Sequence, residues 1–244
     1  MRKYHYDGKT FSSSQMDTYL EPLKQGSLRK DSRFKKSFEL VEGPNILDVG
    51  CSIGAVSYTI AKEHPNWEVT GVDILPESIR IAKEKMKLSN SRYEVRDVLT
   101  KPFKPNSFDC VIFLETIEHV DVPGAFIRQF HRVLKPGGFL IVSTPNALAV
   151  QSVARHFGQN IRNRLHAIRT EPKNTGTHLE HVGLYDVYTL VRLLDRNGLQ
   201  YQEHHYARFN VPLSRKASIN LGLMENVLKP MCDTIIVKAR KPWK

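Results

Sequence analysis

At 244 residues, with 41% hydrophobic side chains, the chain is long enough for one large α/β domain with a sizeable core. Its 36 Lys and Arg outnumber 25 Asp and Glu, and the resulting net charge of +11 excludes an acidic chain and favours an anionic partner or a generally basic surface. No apolar run approaches the roughly 20 residues needed to span a bilayer, and Met1–Thr10 is too polar for a secretory leader.

Residues 1–43 read as a polar, basic lead-in or lid, with helices expected over Gln15–Leu23 and Asp31–Leu40. Strand and helix patterns alternate from Asn45 onward, which points to a parallel sheet covered on both faces. The expected strands are Ile46–Val49, Trp67–Val72, Tyr93–Val95, Phe108–Leu114 and Phe139–Ser143. Between them lie expected helices at Ala55–Glu63, Pro76–Leu88 and Val122–Leu134, the last stopped by Lys135-Pro136-Gly137-Gly138. Regularity lapses over residues 145–181, apart from a helical piece at Ala147–Phe157, and again over 208–230. A helix at Leu184–Asn197 and strands at Leu199–Tyr206 and Thr234–Ala239 complete the pattern. Cys51, Cys110 and Cys232 have no metal or disulfide spacing and read as buried thiols of a reducing, cytoplasmic compartment.

The chemistry begins at Asp48-Val49-Gly50-Cys51-Ser52-Ile53-Gly54, a small-residue loop between the first strand and its helix. Glycine admits backbone angles closed to other residues and lets a ligand lie against the main chain. The spacing Gly-x-Ser-x-Gly fails the dinucleotide fingerprint, and no Gly-Lys-Ser/Thr follows for a phosphate loop. An aspartate two residues before the first glycine would repel a pyrophosphate but suits a cationic ligand. Asp73 ends the second strand about 20 residues past that loop, where a carboxylate accepts from both hydroxyls of a ribose. A turn or helix cap before Pro76 is the alternative role for it. Asp97 follows the third strand, so three acidic residues fall at three successive strand ends, on the sheet edge where ligands bind.

These residues together resemble the class I S-adenosylmethionine-dependent methyltransferases, whose first motif reads Asp/Glu-x-Gly-x-Gly-x-Gly. Ser52 stands where the middle glycine is expected. The resemblance implies a Rossmann-like seven-stranded sheet over residues 44–240, mostly parallel with an antiparallel last strand, and substrate-side insertions at about 145–181 and 208–230. It implies that Asp48, Gly50, Cys51, Ser52 and Gly54 hold the methionine end of the cofactor and Asp73 the ribose. Ile74 would pack on the adenine, Asp97 would accept from its amino group, and the Val98 amide would donate to a ring nitrogen.

The fourth strand runs into Glu115-Thr116-Ile117-Glu118-His119-Val120, delivering two carboxylates and an imidazole to the same edge. Glu115 and Glu118 share a face if the segment turns helical. Glu-x-x-Glu-His-Val is similar to the ubiquinone-biosynthesis O-methyltransferase type, and also to small-RNA 2′-O-methyltransferases that hold a divalent metal on such residues. Two chemistries stay open. Glu115, Glu118, His119 and His178 have the donor set for a cation such as Mg²⁺. Alternatively Glu115 contacts the cofactor's methionine moiety while His119 or His181 is a metal-free base, with Glu118 beside it. Tyr19, Arg155, His156, Phe157 and Tyr185 are candidates for substrate contact. The expected reaction is methyl transfer to a hydroxyl of a small-molecule acceptor, an anionic one being compatible with the charge. An RNA acceptor is the alternative, disfavoured because no nucleic-acid-binding module accompanies the charge. A non-catalytic cofactor-binding protein is a third reading, weakened by the intact carboxylates.

Overall fold

Ile46 and Leu47 are neighbours in the first strand, inside the sheet, and each finds a different core. The computed structural model describes residues 27–150, 183–212 and 218–243. Its main sheet contains β1 (Asn45–Val49), β2 (Glu68–Asp73), β3 (Ser91–Val95), β4 (Phe108–Leu114), β5 (Leu134–Pro145), β6 (Gln200–Ala207) and β9 (Thr234–Arg240). The strand order is β3-β2-β1-β4-β5-β9-β6. β1 through β5 pair in parallel, whereas β9 runs antiparallel to both β5 and β6. The expected seven strands and antiparallel last strand are therefore present. A small hairpin, β7 (Asn210–Pro212) with β8 (Ser218–Asn220), lies in the excursion between β6 and β9.

Successive side chains of a strand alternate faces, so a sheet buried on both sides needs apolar residues at nearly every position. Leu47, Val111, Phe113, Leu140 and Val142 face α4 (Pro123–Val133) and α5 (Val187–Arg196), which contribute Ile127, Phe130, Leu190 and Leu194. Ile46, Val69, Cys110, Ile112 and Ile141 instead meet α1 (Ser32–Glu39) and α2 (Ala55–Glu63) through Phe38, Ile60 and Ala61. α3 (Pro76–Lys85) closes a smaller cluster of Ile79, Ala82, Met86, Tyr93 and Cys51. All three cysteines are buried and free.

The helix starts follow capping chemistry. Asp31 accepts from the Arg33 amide at 3.0 Å to open α1. Asp186 and Thr189 form a reciprocal capping box, which starts α5 at Val187 rather than at Leu184. β5 begins five residues earlier than the apolar run suggests, because Leu134 already pairs with Phe108 across a bulge. The Lys135-Pro136-Gly137-Gly138 segment is thus the irregular start of a strand. Gly137 sits there at φ +80°, and a Cβ on it would lie 2.4 Å from the Trp243 ring. The helix expected at Gln15–Leu23 lies outside the described residues, as does most of Ala147–Phe157.

Candidate active site

The carboxyl ends of β1, β2, β3 and β4 lie side by side, and the candidate groups among the described residues come from the segments that leave them, apart from Tyr185, which precedes α5. The loop after β1 takes three left-handed residues, Gly50 (φ +74°), Ser52 (φ +50°) and Gly54 (φ +82°). Gly50 and Cys51 donate their amides to the Val72 carbonyl at 2.8 and 3.0 Å, which ties the loop to β2. A Cβ on Gly50 would lie 2.6 Å from Thr116 Oγ1, so the segment after β4 packs directly on this glycine. Ser52 adopts the conformation that glycine takes freely, at a cost of about 1–2 kcal/mol. Its amide donates to Asp73 Oδ2 at 2.9 Å and holds it there.

Asp48 lies beneath the loop rather than at its surface. It is 3% exposed and accepts from Ser57 Oγ at 2.6 Å. Burial pushes its carboxyl up to about 6, the Ser57 hydroxyl opposes the rise, and the charge of Asp73 adds to it. Asp73 accepts from the Ser52 and Leu75 amides, both at 2.9 Å, and burial raises it as well. Each oxygen of Asp73 keeps a lone pair for a further donor.

Next to Asp73, the ends of β2 and β3 frame an open recess of about 240 Å³ lined by Ile74, Val95, Arg96, Asp97, Thr100 and Lys101. Ile74 and Val95 are about half exposed, at 49% and 47%, which gives the recess two bare apolar walls. The Asp97 carboxylate accepts from the Leu99 amide at 2.9 Å and from Thr100 Oγ1 at 3.1 Å. Val98, next in the chain after Asp97, is buried. Apolar walls with carboxylates at one end and along the side have the chemistry to take a nucleoside.

Beyond the loop, the acidic pair departs from the expected helix face. Glu115 is left-handed at φ +48°, and the helical geometry is confined to a 3₁₀ turn, Ile117–His119. The two carboxylates consequently diverge. Glu115 Oε2 accepts from Arg33 Nη1 at 3.1 Å, and Oε1 accepts from Ser143 Oγ at 2.8 Å. Glu118 is 2% exposed and accepts from Thr144 Oγ1 at 3.0 Å. Burial, reinforced by Glu115, pushes Glu118 up to about 8, so it holds its proton at neutral pH. His119 Nε2 stands 4.0 Å from the Glu118 carboxylate. Tyr185 lies close enough for the Glu118 charge to raise its phenol further, beyond the effect of burial.

Among the described residues, no three His, Cys, Asp or Glu side chains gather as metal ligands. Of the set expected for a cation, Glu115 already accepts from Arg33 and Ser143 and Glu118 from Thr144, and His178 lies outside the described residues. His181 lies outside them too, as do Tyr19, Arg155, His156 and Phe157. Arg33, Ser57, Ser143 and Thr144 were not singled out in the sequence. Ser57 carried a faint signal as a small polar residue on the sheet-facing side of α2; Arg33 carried none beyond its charge.

A family model described as a methyltransferase domain matches residues 40–205. Phosphoethanolamine N-methyltransferase 1 of Arabidopsis thaliana is 32% identical over 167 residues, which cover 66% of this chain and 33% of that one. The chain thus spans about a third of the phosphoethanolamine N-methyltransferases it matches. A ubiquinone biosynthesis O-methyltransferase of Xylella fastidiosa is 28% identical over 172 residues, 66% of each chain. A solved SAM dependent methyltransferase from Aquifex aeolicus superimposes with a TM-score of 0.60 at 18% identity, covering 95% of this chain and 99% of that one.

Proposed function

The chain belongs to the methyltransferase-domain family of class I S-adenosylmethionine-dependent enzymes, and from that premise we propose that it methylates a hydroxyl of a small-molecule acceptor. The observation that carries the reading is the continuous run of groups from Gly50 through Asp73 to the recess at Ile74 and Asp97. When bound, the cofactor supplies a methyl group already activated by a sulfonium. Asp73 is suited to accept from ribose hydroxyls, Ile74 and Val95 to flank a purine, and Asp97 to accept from its amino group. The left-handed loop Gly50–Gly54 lets the methionine end lie against the main chain, with Asp48 as a buried negative pole beneath it.

In-line transfer gains most from positioning and from removal of the acceptor's proton. His119 stands on the edge as the group to take that proton. Glu118 lies behind it, and Tyr185 narrows the same corner. Glu115, clamped by Arg33 and Ser143, is held for the cofactor's methionine moiety. No step here passes through a metal. An amine acceptor is the second reading, favoured by the N-methyltransferases among the relatives.

Calorimetry with S-adenosylmethionine tests the cofactor; absence of heat at millimolar cofactor overturns the reading. Labelled methyl transfer to parallel panels of phenols, alcohols and amines then separates oxygen from nitrogen, and transfer only to amines replaces the first reading with the second.

A further inference from the structure

The net charge of +11 is unused by the site, and one surface offers it a purpose. β6 ends at Ala207 and β9 starts at Thr234, and those residues pair with each other; Thr234 also pairs with Pro145 at the end of β5. The chain between them therefore leaves the sheet at the same edge as Glu115 and the candidate active site. Within this excursion Leu223 is 93% exposed and Val227 70%. Ile219, Leu221 and Met231 are also exposed. A cluster of bare aliphatic side chains on one segment is uncommon unless something covers it.

The polar groups of the segment show what kind of surface it fits. Of its two acids, Asp233 accepts from Asn210 Nδ2 and Glu225 is turned inward: Oε1 accepts from Ser32 Oγ and the Arg208 amide, each at 2.9 Å, and Oε2 faces Lys36 Nζ at 3.3 Å. Asp31, the neighbouring acid, is paired with Arg33 at 3.2 Å. Lys229 remains exposed on the same segment, and Lys30 and Lys35 are exposed on and before the helix that Glu225 anchors, against one exposed acid there, Glu39, while Arg208 is half-buried and faces Asp31 at 4.0 Å. The outward side is thus aliphatic with an excess of cations, Lys229, Lys30 and Lys35 against Glu39. We propose that this face docks on an anionic lipid bilayer. Aliphatic side chains enter the interface while the cations meet the headgroups, which sets the mouth of the site on the membrane. A nucleic acid fits less well, because none of the bare side chains is an aromatic on which a base could stack. The proposal does not depend on which atom is methylated.

The test is sedimentation of the full chain with phosphatidylcholine vesicles, with and without phosphatidylserine, at low and high salt. Binding is expected to need the anionic lipid and to fall with salt. Leu223→Asp and Val227→Asp are expected to weaken it about tenfold each, in line with the loss of one buried aliphatic side chain. Leu223→Ser, which adds no charge, should weaken it in the same direction, and unchanged thermal melting of each variant excludes unfolding. No sedimentation with anionic vesicles overturns the proposal. So does equal binding by wild type and Leu223→Asp, or capture of total RNA by a chain that ignores vesicles.

Discussion

Replacing Asp48 by Asn separates what this carboxylate does for a ligand from what it costs the fold. Asp48 is 3% exposed, and its carboxyl titrates at about 6 in the fold against 3.8 ordinarily. The folded state therefore binds the proton more tightly than the unfolded chain. Stability falls as pH rises from 3.8 toward about 6 and then levels off, with the penalty fully developed at neutral pH. Two pH units of displacement correspond to about 3 kcal/mol. Asn is nearly isosteric and still offers an oxygen to Ser57, but has no charge to bury. The expected stability gain of Asp48→Asn over wild type is small at about pH 4 and grows to about 3 kcal/mol at about pH 7. Urea unfolding followed by tryptophan fluorescence measures it, since Trp67 stacks on His64 at 3.7 Å just before β2. A stability difference that stays flat across this pH window would falsify the argument. The same variant is expected to bind S-adenosylmethionine about tenfold more weakly, a trade of stability against function.

Asp73→Asn removes the charge that the proposed ribose contact uses, and cofactor affinity by calorimetry should fall roughly 10–100-fold; an unchanged affinity removes Asp73 from the site. Gly54→Ala combines φ +82° with a Cβ 2.6 Å from the Tyr93 ring, so a loss of about 2–4 kcal/mol is expected in thermal or urea unfolding. Wild-type stability in that variant would mean the loop relaxes in a way its contacts do not suggest. Arg33→Gln deletes a positive charge that pulls Glu118 down, so Glu118 moves further up. If Glu118 acts with His119, the rising limb of the pH–rate profile shifts to higher pH in this variant. A profile that keeps its position while only the acceptor KM rises reduces Arg33 to a substrate contact.

What the sequence revealed of this site depended on how far apart the cooperating residues lie. The loop at Gly50–Gly54 was legible because an apolar strand, an acid and small residues are consecutive. Asp73 and Asp97 became legible through topology, since parallel strands deliver their carboxyl ends to one edge. The contact between Arg33 and Glu115 spans 82 residues and depends on where α1 docks, which no local pattern encodes. The burial of Asp48 likewise depends on α2 turning Ser57 toward β1. The early start of β5 depends on Phe108 as its partner and on Trp243 closing over Gly137. The sharpest divergence is at Glu115 and Glu118, where spacing suggested one shared helical face. A single left-handed residue at Glu115 undoes that periodicity. It sends the first carboxylate outward to an arginine and the second inward to a threonine in the core. Two identical side chains three residues apart thus become unlike groups, one ion-paired and one biased toward its neutral acid. Unlike surroundings are how a fold assigns two carboxyls separate tasks. Here the backbone angle of one residue creates that difference.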